Sequence, residues 1–274
     1  MAISMQEVMD NLQSKMEMTR SQGIAPIEYE CKKCNDVGSY IIKMKRGYFI
    51  NEIEQEEEIY QECECRKQKK INRLVASSAI TDEFQKMGFG NYQTDGKDVV
   101  VKKMKDKAYQ YYDSFNDISD SRQNSIALIG QPGVGKTHLL MAVANNLITR
   151  KMIPVMYFPY VDVIKEMQAN QLAKEHVITE RAKSVAVLFI DDLFKPSGNK
   201  PPSSWQQEKI YEIINHRYLN YKPMLISSEL GFGELVTINE ALGSRLFEMC
   251  EGYAEHVQKD VRLNHRTRKI FGGV

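Results

Sequence analysis

Four short apolar runs punctuate the chain after its first third: Ile126–Ile129, Val155–Phe158, Val185–Ile190 and Met224–Ile226. Each has the length and density of a strand buried on both faces, and stretches of helical period lie between them. In the clearest of these, His138 to Thr149, Leu139, Val143 and Leu147 recur at i, i+4 and i+8, one face of a helix. Strands alternating with helices predict a parallel sheet covered by helices, an α/β domain beginning near Leu74. The chain before that point reads differently. Val8, Leu12 and Met16 predict an amphipathic helix over residues 1–20. Residues 25–66 are rich in Cys, Lys and Glu and poor in apolar runs. Within them Tyr40–Met44 and Tyr48–Ile50 predict two short strands, with Lys45-Arg46-Gly47 as the turn. The acidic run Glu52–Glu58 and the basic run Arg66–Arg73 read as solvated surface. The pattern therefore divides into a small module, 1–70, and a larger domain, 71–274.

Composition changes this picture little. The 274 residues carry ordinary apolar and charged fractions and a net charge of +1, so bulk charge does not signal nucleic acid. A local basic face would be enough. No run is long enough to span a membrane. Glu7, Asp10, Lys15 and Glu17 interrupt the first residues, which lack the apolar core of a secretory signal. A cytoplasmic location with reduced thiols is expected.

The cysteines change the picture more. Cys31 and Cys34 form a C-x₂-C knuckle, and Cys63 and Cys65 a C-x-C pair. Two close pairs supply the four thiolates of a structural zinc site. The first histidine is His138, so a site inside this module is all-cysteine. Metal binding would also supply folding free energy to a segment too polar to build a core alone. Cys250 stands apart and reads as a buried small hydrophobe.

Residues 130–137, Gly-Gln-Pro-Gly-Val-Gly-Lys-Thr, match the phosphate-binding loop G-x-x-x-x-G-K-[ST] at every defined position. A strand precedes the loop and a helix follows, as the motif requires. Its glycines let successive backbone N–H groups face a phosphate, and the helix N-terminus adds positive potential. Lys136 is placed to reach the outer phosphates and Thr137 to ligate Mg²⁺. The run Val185–Ile190 ends in Asp191-Asp192, a pair of like charges with little structural reason to adjoin at a strand end. Asp191 is read as the Mg²⁺ carboxylate and Asp192 as the residue that deprotonates the attacking water. Downstream stand Ile226-Ser227-Ser228-Glu229, Gly243-Ser-Arg245 and a basic run from Asp260 to Lys269 that includes Asn264-His265-Arg266.

This order of motifs resembles the AAA+ family, and within it the bacterial and phage helicase loaders of the DnaC/DnaI type. The resemblance covers roughly residues 75–270, and the cysteine module is similar to that of DnaI-like members. It implies a P-loop domain with a central parallel sheet and a reduced or absent lid, since 16 residues follow Gln258. It implies nucleotide contacts from Gly130, Pro132, Gly133, Val134, Gly135, Lys136, Thr137 and His138, with Met87–Tyr92, Asn91 included, near the adenine. It further implies Ser228, or Ser227, as first sensor, Arg245 as a finger acting on a neighbouring subunit's ATP, and Arg266 as second sensor. Asp192 stands where most AAA+ proteins have Glu, and Glu229 where many loaders have Asn. Tyr160 to Arg181 occupies the place of the family's extra helix, and its Lys165, Lys174 and Arg181, with Lys183, are candidates for lining a groove for single-stranded DNA. The function implied is ATP-dependent loading of a hexameric replicative helicase onto single-stranded DNA, with self-assembly through the ATP site. A transposition helper of the IstB type and a small-molecule P-loop kinase are the alternatives.

Overall fold

A computed structural model describes residues 29–50, 53–94, 97–169, 172–195 and 201–267. The helix expected over residues 1–20 lies outside these. The chain divides into two units, Met1–Lys69 and Lys70–Val274.

The first unit is built on an antiparallel ribbon, β1 (Ser39–Ile50) and β2 (Ile53–Glu62). This corrects one expectation. Residues 40–50 form one strand and not two, and a register shift between Lys45 and Phe49 marks the place where a turn was expected. Glu54 to Glu58 of the acidic run fall in the partner strand, where Glu58 is exposed and Glu57 half-buried. Lys43 pairs in register with Glu58, so opposite charges stand at facing positions of the ribbon, and Lys45 pairs in register with Glu56. The basic run begins helix α1 (Glu64–Ser77), where Lys69 Nζ reaches Asp36 Oδ1 at 2.8 Å.

The second unit is a five-stranded sheet in the order β4-β5-β6-β3-β7, every neighbouring pair parallel. Its strands are β3 (Ile126–Gly130), β4 (Val155–Pro159), β5 (Val187–Asp191), β6 (Met224–Ser228) and β7 (Ala254–Val257). Side chains alternate strictly between two cores. Ile126, Leu128, Val155, Tyr157, Val187, Phe189 and Leu225 face one layer, with helices α3 (Val99–Ile118) and α4 (Lys136–Lys151). Ala127, Ile129, Met156, Phe158, Leu188, Ile190, Met224 and Ile226 face the other. There they meet α5 (Tyr160–Ala169), α7 (Ser204–Leu219) and α9 (Glu240–Cys250), with Leu235 of the short α8 (Phe232–Ile238). A short helix, α2 (Asp82–Gln85), precedes α3, and α6 (Leu172–Ser184) follows α5. The segment expected as one extra helix is therefore the pair α5 and α6. Leu139, Val143 and Leu147 of α4 are all fully buried, as their spacing requires.

Strand β5 starts two residues later than its apolar run. Arg217, wholly buried on α7, explains the difference. Its guanidinium donates to the carbonyls of Ala182, Val185, Ala186 and Pro223 at 2.7–3.0 Å, so the backbone before Val187 is bound to a side chain. Strand β7, Ala-Glu-His-Val, carries too little apolar character to be seen as a run.

Candidate nucleotide-binding site

The loop 130–135 joins the buried strand β3 to α4, and the geometry of its glycines is specific. Gly133 (φ +78°) packs so closely on the tail that a Cβ would lie 2.0 Å from Asn264 Oδ1. Gly135 (φ +95°) caps α4 without a side chain, and a Cβ there would lie 2.6 Å from the Tyr92 ring. The first N–H groups of α4 are thus left for a ligand, and the helix dipole favours an anion. Lys136 is almost fully buried and its Nζ donates to Gly130 O and Gln131 O, both at 2.8 Å. Burial pulls its ammonium down to about 8 from an ordinary 10.5. Gly130 itself ends β3 in register with Val257.

At the end of β5, Asp191 gathers three hydroxyl donors. Thr137 Oγ1 donates to Oδ1 at 2.8 Å, Ser227 Oγ donates to the same oxygen, and Tyr157 OH donates to Oδ2 at 3.0 Å. Burial raises the carboxyl's pKa, and the hydroxyls of Ser227 and Thr137 oppose that rise. Asp192 follows with left-handed backbone (φ +58°), its N–H held by Ser227 Oγ at 2.8 Å. Its Oδ2 meets Lys195 Nζ at 2.7 Å, and Lys195 also reaches Glu229 Oε1 at 3.3 Å.

One cleft of about 600 Å³ unites these groups. Pro132 to His138 line it together with Asn91, Asp191, Asp192 and Arg266, while Gly130 is not among its lining residues. Arg266 arrives there because the tail is fastened to the loop. Gln131 Oε1 accepts Asp260 N–H at 2.9 Å, and Gly133 O accepts His265 N–H at 3.0 Å. Asn91 and His138 also build one wall. Asn91 Oδ1 accepts from Gly88 N and from His138 Nε2, while Asn91 Nδ2 donates to Lys86 O. Both partners of His138 Nε2, Asn91 Oδ1 and Gly88 O, are acceptors, so that nitrogen carries the proton.

Of the two candidate sensor serines, one stands elsewhere. Ser228 turns away from the carboxylates, donating its hydroxyl to Leu193 O at 2.8 Å, and Ser227 occupies the place between Asp191 and Asp192. Strand alternation alone puts these neighbours on opposite faces. Arg245 lies outside the cleft of its own chain, stacked on Tyr211 and Tyr218 with Nη1 on Ala241 O. Of the candidate DNA-binding cations, Lys174 pairs with Glu166, Lys183 with Glu180 and Glu212, and Arg181 donates to Ser77 O. Tyr157 and Lys195 were not foreseen. Tyr157 reads as an ordinary core aromatic within an apolar run, and Lys195 follows the motif without belonging to it.

The cysteines form a second centre, within the first unit. The C-x₂-C knuckle turns through Asn35 and Asp36, both left-handed, and the pairing of Ser39 with Glu62 brings it to the C-x-C pair. Cys31 and Cys63 sulfurs are 3.6 Å apart, Cys34 and Cys65 sulfurs 3.3 Å, and all four lie within 4.8 Å of one another. Four sulfurs about 2.3 Å from one zinc would stand about 3.8 Å apart, so the cluster fits that ion. Backbone N–H groups of Cys34 and Lys33 pull the Cys31 thiol down to about 7.

A phosphate loop at the end of a central parallel strand, with a carboxylate pair beyond one intervening strand, defines a P-loop ATP-binding protein of AAA+ fold. The chain belongs to the family of IstB-like ATP-binding proteins, whose model matches residues 52–258. That match includes Cys63 and Cys65 but not Cys31 and Cys34. The protein YqaM of Bacillus subtilis is 51% identical over 207 residues, 75% of this chain and 66% of its own. The phage-like element PBSX protein XkdC of the same organism is 41% identical over 244 residues, 88% of each chain. The replicative helicase loader DnaI of Bacillus subtilis is 28% identical over 183 residues, 64% of this chain and 56% of its own. A crystal structure of DnaI shares the fold, with a TM-score of 0.51 and 21% identity over 66% of this chain and 94% of that one. The chain thus spans just under two thirds of YqaM and little more than half of DnaI. Among the described residues no helix is long and apolar enough to cross a membrane.

Proposed function

We propose that the protein is an ATP-controlled loader of a hexameric replicative helicase onto single-stranded DNA. The observation that carries this reading is the continuity of one ATP cleft, from loop to carboxylate pair to tail, in a chain similar to XkdC and to the loader DnaI.

In this reading the loop amides and Lys136 hold the outer phosphates. Thr137 and Asp191, an all-oxygen pair in direct contact, suit Mg²⁺, which when bound neutralises charge on the phosphates. Tyr157 and Ser227 fix the Asp191 rotamer. Asp192 accepts the proton of the attacking water. The water oxygen bonds to the γ-phosphorus as the bond to the β-phosphate oxygen breaks, and that oxygen leaves on ADP with the electron pair. Arg266 reaches the phosphates from the tail. Arg245 acts in trans as the finger of a neighbouring subunit, so hydrolysis depends on assembly, where such a residue contributes about 10³–10⁵ in rate. The four cysteines hold zinc and fix the fold of a module that grips the helicase.

Co-purification with the host's replicative helicase, with and without ATP, tests the loader role. Capture that is nucleotide-dependent and lost in Lys136→Ala supports it. The family match favours one other reading, a transposition helper. Capture of a transposase, and not of the helicase, would establish that instead.

A further inference from the structure

The turn after β5 carries a cation that the ATP site as described does not use. Lys195 Nζ stands between two carboxylates of the cleft, 2.7 Å from Asp192 Oδ2 and 3.3 Å from Glu229 Oε1. All three side chains are between a quarter and two fifths exposed, facing the cleft and not the core. Their relative positions are fixed by backbone. Asp192 and Phe194 are both left-handed (φ +58° and +52°), and Lys195 N–H bonds to Asp192 O at 3.0 Å. Strand β6 then holds this turn at three points: Ser227 Oγ takes Asp192 N–H, Ser227 O takes Leu193 N–H, and Ser228 Oγ donates to Leu193 O. The same strand end carries Glu229. Lys195 therefore bridges two segments that β5 and β6 lock together, and only its own side chain is free to rotate.

The charges give this bridge a consequence. An ammonium bonded to a carboxylate occupies an oxygen that would otherwise accept a hydrogen bond from water. As it stands, Asp192 is held in such a pair. Two other lysines of the cleft are differently committed, and Arg266 enters it from the tail without bonding to either carboxylate among the described residues. Lys136 is bound to loop carbonyls, and Lys97 stands over the Tyr92 ring. Among the described residues, Lys195 is the cation hydrogen-bonded to the side chain assigned to activate water. A terminal phosphate carries more charge than either carboxylate and offers several acceptor oxygens to the same donor.

We propose that Lys195 reads the terminal phosphate: it exchanges Asp192 and Glu229 for a γ-phosphate oxygen, so that ATP but not ADP releases Asp192 to act on water. Glu229 is then the competing tether that sets how readily the exchange occurs. The inference rests on the ATP-site reading above and adds to it the means by which the site distinguishes its substrate from its product.

The test is titration of the full-length protein with Mg²⁺-ADP and with Mg²⁺-ATPγS. In Lys195→Met, ATPγS affinity should fall by about tenfold, the size of one charge-assisted hydrogen bond, while ADP affinity stays within about twofold. Lys195→Arg, which keeps the charge, should restore most of the loss, and it serves if the Met variant fails to fold. Glu229→Gln should act in the opposite direction, tightening ATPγS by about two- to fivefold, the range of a partly exposed ion pair. That gain should vanish in the Lys195→Met background, because its cause is the tether. Equal loss of ADP and ATPγS in Lys195→Met, or a Glu229→Gln gain that survives without Lys195, would overturn the proposal. A parent protein that binds neither nucleotide would overturn the ATP-site reading itself, a different result from binding without discrimination.

Discussion

Arg217→Met should destabilise the Lys70–Val274 unit by about 3 kcal/mol without touching the nucleotide. Arg217 is 0% exposed, and no carboxylate meets it among the described residues. What compensates its buried charge is a cage of carbonyls at the end of α6 (Ala182), the start of β5 (Val185, Ala186) and the approach to β6 (Pro223). The first of these is the negative end of a helix dipole, which favours a cation there. Methionine fills similar volume and donates nothing. Each carbonyl left without its donor costs about 1 kcal/mol, the low end of the usual range because some retain a second partner, giving roughly 4 kcal/mol for the four. Relief of the desolvated charge offsets part of that, leaving about 3 kcal/mol. For a unit of this size the melting midpoint should fall by about 6–12 °C. The assay is thermal and urea denaturation of parent and variant, with Arg217→Lys as an intermediate because it replaces only some of the donors. A midpoint within about 2 °C of the parent would show that the cage costs as much as it contributes, and that β5 is positioned by its strand neighbours alone.

Three further outcomes are expected. Lys136 has its ammonium lowered to about 8, so between that value and its ordinary 10.5 the unfolded chain binds the extra proton and stability rises with pH. Phosphate oxygens reverse the shift, so nucleotide binding near pH 9 should take up a proton, and calorimetry in buffers of different ionisation enthalpy should detect it; equal heats would refute the assignment. Gly133→Ala should abolish nucleotide binding while leaving far-ultraviolet dichroism intact, because its φ of +78° and the Asn264 side chain 2.0 Å from an added Cβ force the loop and tail apart. Stripping metal with a strong chelator should unfold the β1–β2 ribbon and leave the melting of the ATP-binding unit unchanged, and metal analysis before stripping should give one zinc per chain; an unaltered ribbon would rule out a structural ion.

The sheet was readable because its strands are buried on both faces, which makes them continuous apolar runs, and β7 escaped because an edge strand needs no such run. The P-loop was readable because its glycines, lysine and threonine stand at fixed spacing within one short segment, although the contacts that need Gly133 and Gly135 come from Asn264 and Tyr92, far off in the chain. The ribbon was misread for the opposite reason. Its strands pair a lysine-bearing run with a glutamate-rich one, Lys43 in register with Glu58, and neither run alone announces its partner. The site shows the same division. Lys136, Thr137, Asp191 and Asp192 belong to motifs, whereas Tyr157, Ser227 and Lys195 act only through register. Tyr157 reaches Asp191 because Pro159 pairs with Asp191, and Ser227 reaches it because β6 lies beside β5. Ser228 shows how sharp this dependence is: one residue's shift along β6 turns a hydroxyl from the carboxylates to the backbone of Leu193. In this chain sequence motifs name the groups that meet phosphate, and strand pairing decides which groups stand behind them and hold their charge.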